Sequence, residues 1–91
     1  MIVGTVKEIK NHEYRVGLTP ESVHELSVNG HEVLVESGAG AGIGASDADY
    51  RKAGGTIVET AAEIFARAGM IVKVKEPQAG ERAMLRPGQI L

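Results

Sequence analysis

Cysteine is absent from these 91 residues, and so is tryptophan. The first absence removes disulfides, thiolate metal sites and thiol nucleophiles, and it suits a reducing compartment such as the cytosol. Aromatic side chains are scarce, two tyrosines and one phenylalanine, so a core has to be built from aliphatic residues. Neither sign of charge dominates. Ten Lys and Arg stand against twelve Asp and Glu, interspersed along the chain, which leaves no basic face for nucleic acid. No apolar run approaches the roughly 20 residues of a membrane-spanning helix, and Lys7 and Glu8 come too early for a signal peptide. What is present is a globular balance, 43% hydrophobic and 24% charged, at a length that suits one small domain and excludes a two-domain enzyme.

Strand and helix signals alternate. Ile2 to Val6 reads as a strand, and the polar segment Lys7 to Arg15 as a loop. Thr19-Pro20 is an N-cap followed by proline at the first helical position, opening a helix over about 20 to 29 that Gly30 stops. His31 to Glu36 is a second strand, Ser46 caps a short helix through Lys52, and Gly54-Gly55 turns into a brief strand, Thr56 to Val58. The pair Thr60 and Glu63 has capping-box spacing and starts a helix ending at Gly69. Met70 to Lys75 follows as a strand closed by Pro77. The alternation predicts an α/β layer fold, Rossmann-like or flavodoxin-like, with a parallel sheet and flanking helices. Gly88 to Leu91 reads as a turn entering a further strand, so the pattern is that of an element cut short.

Three features bear on chemistry. Gly40, Gly42 and Ala45 fit the G-x-G-x-x-G/A dinucleotide fingerprint, yet strand two ends too early for it. The helix that follows is short, and Asp47 and Asp49 would put negative charge where a pyrophosphate should sit. A flexible glycine loop is the expectation there. Lys73 and Lys75 lie two apart, on one face of the fourth strand. Lys75 falls at its carboxyl end, where parallel α/β sheets gather ligands and where a lysine meets an anion or carbonyl oxygen, although an edge strand with solvated lysines fits the pattern equally well. Arg15 leaves strand one on the same side of the sheet. Its guanidinium suits a carboxylate, and a surface ion pair with Glu13 or Glu8 is the competing account. His12, His24 and His31 have no metal-ligand spacing and are expected at the surface, and no serine has a nucleophile-elbow context.

Taken in order, K-E-x-K-N-x-E-x-R-V-G-L-T-P from Lys7, the glycine loop, D-x-D-Y from Asp47 and K-V-K-E-P from Lys73 span the chain. Together they closely resemble the amino-terminal domain of the alanine dehydrogenase and pyridine nucleotide transhydrogenase family. Val6 stands where that family usually has proline, and Thr5 is more polar than usual. The resemblance implies reversible oxidative deamination of L-alanine to pyruvate and ammonia with NAD, in a cytoplasmic homo-oligomer, a hexamer. It implies that residues 1–91 are a partial substrate-binding domain. It matches Arg15 to the residue that grips the substrate carboxylate, and Lys75 to the catalytic lysine that holds the substrate at its reacting carbon. The catalytic histidine, the catalytic aspartate and the NAD-binding domain would lie past Leu91, so the 91 residues alone are expected to be inactive. Two alternatives remain at this point: the transhydrogenase α-subunit domain, which K-V-K-E-P fits less well, and a non-catalytic binding or assembly module.

Overall fold

The computed structural model describes residues 1–9, 15–74, 81, 84–85, 88 and 90. Four strands, β1 (Ile2–Thr5), β2 (Glu32–Glu36), β3 (Thr56–Val58) and β4 (Met70–Val72), alternate with the helices α1 (Pro20–Val28), α2 (Asp47–Lys52) and α3 (Ala61–Arg67). All strand pairs are parallel, in the order β3-β2-β1-β4. The α/β expectation is met. Ile90 adds a parallel bridge to Met70 on the outer side of β4, in line with the strand signal at the chain's end.

Each helix starts where its cap residue directs. Thr19 Oγ1 accepts from Ser22 N–H at 3.3 Å, and Pro20 fills a position whose N–H has no helical partner. Ser46 and Asp49 form a full reciprocal box at 3.1 and 2.9 Å. At α3 the box is half made: Thr60 accepts from Glu63 N–H at 3.3 Å, while the Glu63 carboxylate turns to Arg67 one helical turn on.

Side chains on the strands alternate between two cores. Val33 and Val35 join Val3, Val16, Leu18, Val23 and Tyr50 on the face covered by α1 and α2. Leu34 joins Val6, Val58, Ile64, Phe65 and Ile71 on the face covered by α3. The strand order gives the reason. The chain steps from β1 to β2 to β3 in one direction, then returns across the sheet to lay β4 on the far side of β1. Crossovers of one hand therefore place α3 on the opposite face from α1 and α2. The direction of winding reverses at β1, and in open α/β sheets the crevice beyond the carboxyl ends of strands at such a reversal is where ligands bind.

One boundary departs from expectation. β4 ends at Val72 and does not continue to residue 75, because its partner β1 ends at Thr5, the residue in register with Val72. Lys73 is thus not a strand residue beside Lys75, and Lys75 itself lies outside the described residues.

Candidate functional site

The carboxyl edge of the sheet is held by side chains that bond across strand ends. Thr5 Oγ1 donates to the Val72 carbonyl at 2.9 Å, a role that explains a hydroxyl at this buried position. Glu36, closing β2, accepts the Lys7 N–H at 2.8 Å. Burial pushes the Glu36 carboxyl above its ordinary range, outweighing the pull of the Lys7 N–H and charge, with Glu81 adding to the rise and Lys73 opposing it.

Beyond β1 and β4 sits a buried ionic cluster. Lys73 Nζ lies 3.1 Å from Glu8 Oε1 and 3.0 Å from Glu81 Oε2. The three side chains are only 2–4% exposed. Glu8 Oε2 accepts the Val74 N–H at 3.1 Å. Charges removed from water this far persist only when paired and hydrogen-bonded. The solvated account of Lys73 drawn from pattern fails, since its side chain is buried and doubly paired. Glu8 is likewise no loop-surface residue. Sequence reasoning missed the pair because Glu8 and Lys73 are 65 positions apart, and charged residues are almost never fully buried unless paired. The only advance signal was K-E and K-V-K, each at the end of a strand.

A cleft of about 350 Å³ opens beside this cluster, lined by Lys7, Glu8, Arg15, Gly38, Ala39, Ala41 and Gly42. Arg15 is exposed to it, while Val16 and Leu18 just after it are buried and pin the segment down. Gly17, between them, lies against the Val72 carbonyl so closely that a β-carbon would overlap it and would sit 3.0 Å from Thr5 Oγ1. The Arg15 segment is therefore laid across the ends of β1 and β4. Because those strands are neighbours, the chain toward Arg15 and the chain toward residue 75 leave the sheet side by side. A larger depression of about 630 Å³ lies between α1 and α2, lined by Pro20, Glu21, His24, Glu25, Asp49, Lys52 and Ala53. It touches no strand end, so we place the candidate site in the smaller cleft.

The other wall is the glycine loop, and it is a hydrogen-bonded turn where a flexible loop was expected. Asp47 Oδ1 accepts Gly38 N–H at 2.9 Å and Asp47 Oδ2 accepts from Ser37 Oγ at 2.7 Å. These two bonds hold the Asp47 carboxyl below its ordinary range. Ala41 to Ile43 forms a single 3₁₀ turn that ends at Gly44, whose φ of 77° favours glycine. Gly40 presses on Tyr50, whose hydroxyl donates to the Leu18 carbonyl at 2.7 Å. Tyr50 thus spans both walls. A dinucleotide does not fit this loop: the Gly38 N–H is already given to Asp47, and the six-residue α2 opens with two aspartates.

Of the histidines, His24 is exposed on α1, His31 is half-buried, and His12 lies outside the described residues. Among the described residues, no helix is long and apolar enough to cross a membrane.

Residues 4–91 match the family described as alanine dehydrogenase/PNT, N-terminal domain. The alanine dehydrogenase of Mycobacterium tuberculosis is 50% identical over all 91 residues, and that of Bacillus subtilis 47%. In both, the match covers 24% of the relative, so the chain spans about a quarter of their length. A solved L-alanine dehydrogenase superposes with a TM-score of 0.91 at 46% identity, over 94% of this chain and 24% of that one. A solved transhydrogenase from Sinorhizobium meliloti gives 0.90 at 39% identity, over 97% of this chain and 25% of that one.

Proposed function

The chain belongs to the alanine dehydrogenase/PNT N-terminal domain family, and on that premise we propose that it is the substrate-binding part of an NAD-dependent alanine dehydrogenase. The reaction is the reversible oxidative deamination of L-alanine to pyruvate and ammonia. The observation that carries this reading is the identity of about half of all residues with alanine dehydrogenases along the entire chain.

In this reading Arg15 offers its planar guanidinium to the substrate carboxylate through two parallel hydrogen bonds. Lys75 places an ammonium beside the reacting carbon, where it stabilises negative charge developing on oxygen. Support comes from Arg15 lining the cleft and from Gly17, which lays its segment over the end of the strand that leads to Lys75. A carboxylate fixed at one end and a cation at the other would orient the α-carbon. NAD does not fit the glycine loop, so we assign it to the length that the relatives have beyond this domain, together with the remaining catalytic groups. A cytoplasmic homo-oligomer, a hexamer by the same resemblance, completes the reading.

A second reading, the corresponding domain of a transhydrogenase, is favoured by the near-equal superposition on the Sinorhizobium meliloti structure. One assay separates the two. The full-length protein is mixed with NAD and L-alanine, and separately with reduced and oxidised nucleotides of the two kinds. Alanine-dependent NADH formation is expected. Nucleotide exchange without alanine turnover would transfer the chain to the second reading.

A further inference from the structure

We propose that Glu8 is a positioning residue that sets the backbone from which Lys75 extends, by clasping Lys73 with one carboxylate oxygen and the Val74 N–H with the other. This rests on the role given to Lys75 above. The need for a clasp follows from backbone accounting. The β1–β4 ladder stops at the pair Thr5 and Val72, so a partly buried N–H beyond it has no ladder carbonyl of β1 to meet. At Val74 the Glu8 carboxylate takes that place, at 3.1 Å. The same carboxylate holds Lys73 Nζ at 3.1 Å, and Glu81 holds the ammonium from another side at 3.0 Å.

Two consequences follow. The ammonium of Lys73 is committed to two carboxylates, so Lys73 itself is not available to a substrate. And the residue directly before Lys75 is fixed by a charged hydrogen bond to Glu8, on the segment that follows β1. Glu8 lines the cleft as well, which puts the clasp against the ligand space. Misplacing a reacting group by about 1 Å lowers turnover by roughly 100-fold.

The test uses the full-length enzyme with L-alanine and pyruvate. Glu8→Gln, whose amide cannot accept from both donors, is expected to lower kcat by about tenfold or more while the pyruvate KM stays within about threefold, because Arg15 is untouched. In a Lys75→Ala background the same change is expected to have no further effect, the signature of a residue acting through Lys75. Glu81→Gln alters the Lys73 pairing and leaves the Val74 bond, and is expected to change kcat by less than about threefold. Additive losses in the Lys75→Ala background, equal losses from the two Gln variants, or an unchanged kcat in Glu8→Gln would each overturn the clasp. Should Glu8→Gln not fold, Glu8→Asp, which keeps the charge on a shorter arm, goes through the same cycle with the same deciding outcomes. A wild-type enzyme without alanine turnover would remove the functional reading itself, whereas an active wild type with an indifferent Glu8 removes only the clasp.

Discussion

Gly17 packs against the main chain of Val72, with no room for a β-carbon between them. The contact joins the segment carrying Arg15 to the end of the strand that leads to Lys75, two parts of the chain far apart in sequence. Gly17→Ala should therefore raise the segment off the sheet. The expected loss is about 1 to 3 kcal/mol of stability, the range for overpacking against a rigid neighbour, together with weaker pyruvate binding. Denaturant unfolding and substrate KM in the full-length protein check both, and a stable variant with normal KM would show that the contact does not set the site.

Tyr50→Phe removes the hydroxyl that reaches Leu18 and keeps the ring that supports Gly40. A buried carbonyl would lose its partner, which costs about 1 to 3 kcal/mol. The Arg15 side of the cleft should loosen relative to the glycine side, seen as a raised KM for both alanine and pyruvate. If stability is unchanged in urea, water has taken the place of the hydroxyl and the strut has no energetic weight.

Arg15→Lys keeps the charge and loses the fork, so substrate binding should weaken by about 1 to 3 kcal/mol with kcat little altered. Lys75→Ala should do the reverse and lower kcat. Steady-state kinetics on the full-length enzyme decide, and unchanged alanine and pyruvate constants in Arg15→Lys would end its assignment to the carboxylate.

Glu36 and Asp47 should respond to pH in opposite senses. Burial raises the Glu36 carboxyl, so the folded state holds that proton more tightly than the unfolded chain does. Its contribution is complete below the ordinary glutamate range and is lost as pH rises through the raised value. Asp47 is lowered by the Gly38 N–H and the Ser37 hydroxyl. Its contribution is present above the ordinary aspartate range and is lost as pH falls through the lowered value. Glu36→Gln, which still accepts the Lys7 N–H, should thus be more stable than wild type at about pH 7 and lose that advantage toward about pH 4. Asp47→Asn should be less stable at about pH 7 and converge with wild type only in acid. Urea midpoints at the two pH values test both, and a Glu36→Gln variant weakened at neutral pH would reverse the sign argued here.

The 91 residues expressed alone should show no alanine-dependent NAD reduction above background, because in the proposed reading NAD and the remaining catalytic groups are held by the length that the relatives have beyond this domain. Measurable turnover by that polypeptide would mean that the chemistry has been misplaced.

Most element positions were legible from local signals. Ile2 to Thr5 and Glu32 to Glu36 are β-rich runs bounded by glycine or charge, and Thr19, Ser46 and Thr60 each announce a helix through a side chain that meets an N–H three residues on. Topology was less legible, since nothing local to Thr5 says that its neighbours are Val35 on one side and Val72 on the other. That ignorance misplaced the end of β4 and with it Lys73. Glu8 was hidden for a related reason: a carboxylate in a charged loop looks solvated until its distant lysine is known. The glycine loop was legible in part. Its unsuitability for a pyrophosphate could be argued from Asp47 and Asp49, but the bond from Gly38 to Asp47 that orders it could not.

The strand order also sets a timetable. β1 finds β2 early, across one helix, but its other edge waits for β4, and Thr5 and Val72 are 67 positions apart. At roughly 5–20 residues per second on the ribosome, that edge is bare for several seconds, an apolar strand in the middle of the sheet with unmet N–H and carbonyl groups. An unpaired edge of this kind is a template for a second chain, and late, long-range parallel pairing is the slow kind. Crowding of nascent chains therefore bears hardest on β1, a strand that in the finished molecule is paired on both sides.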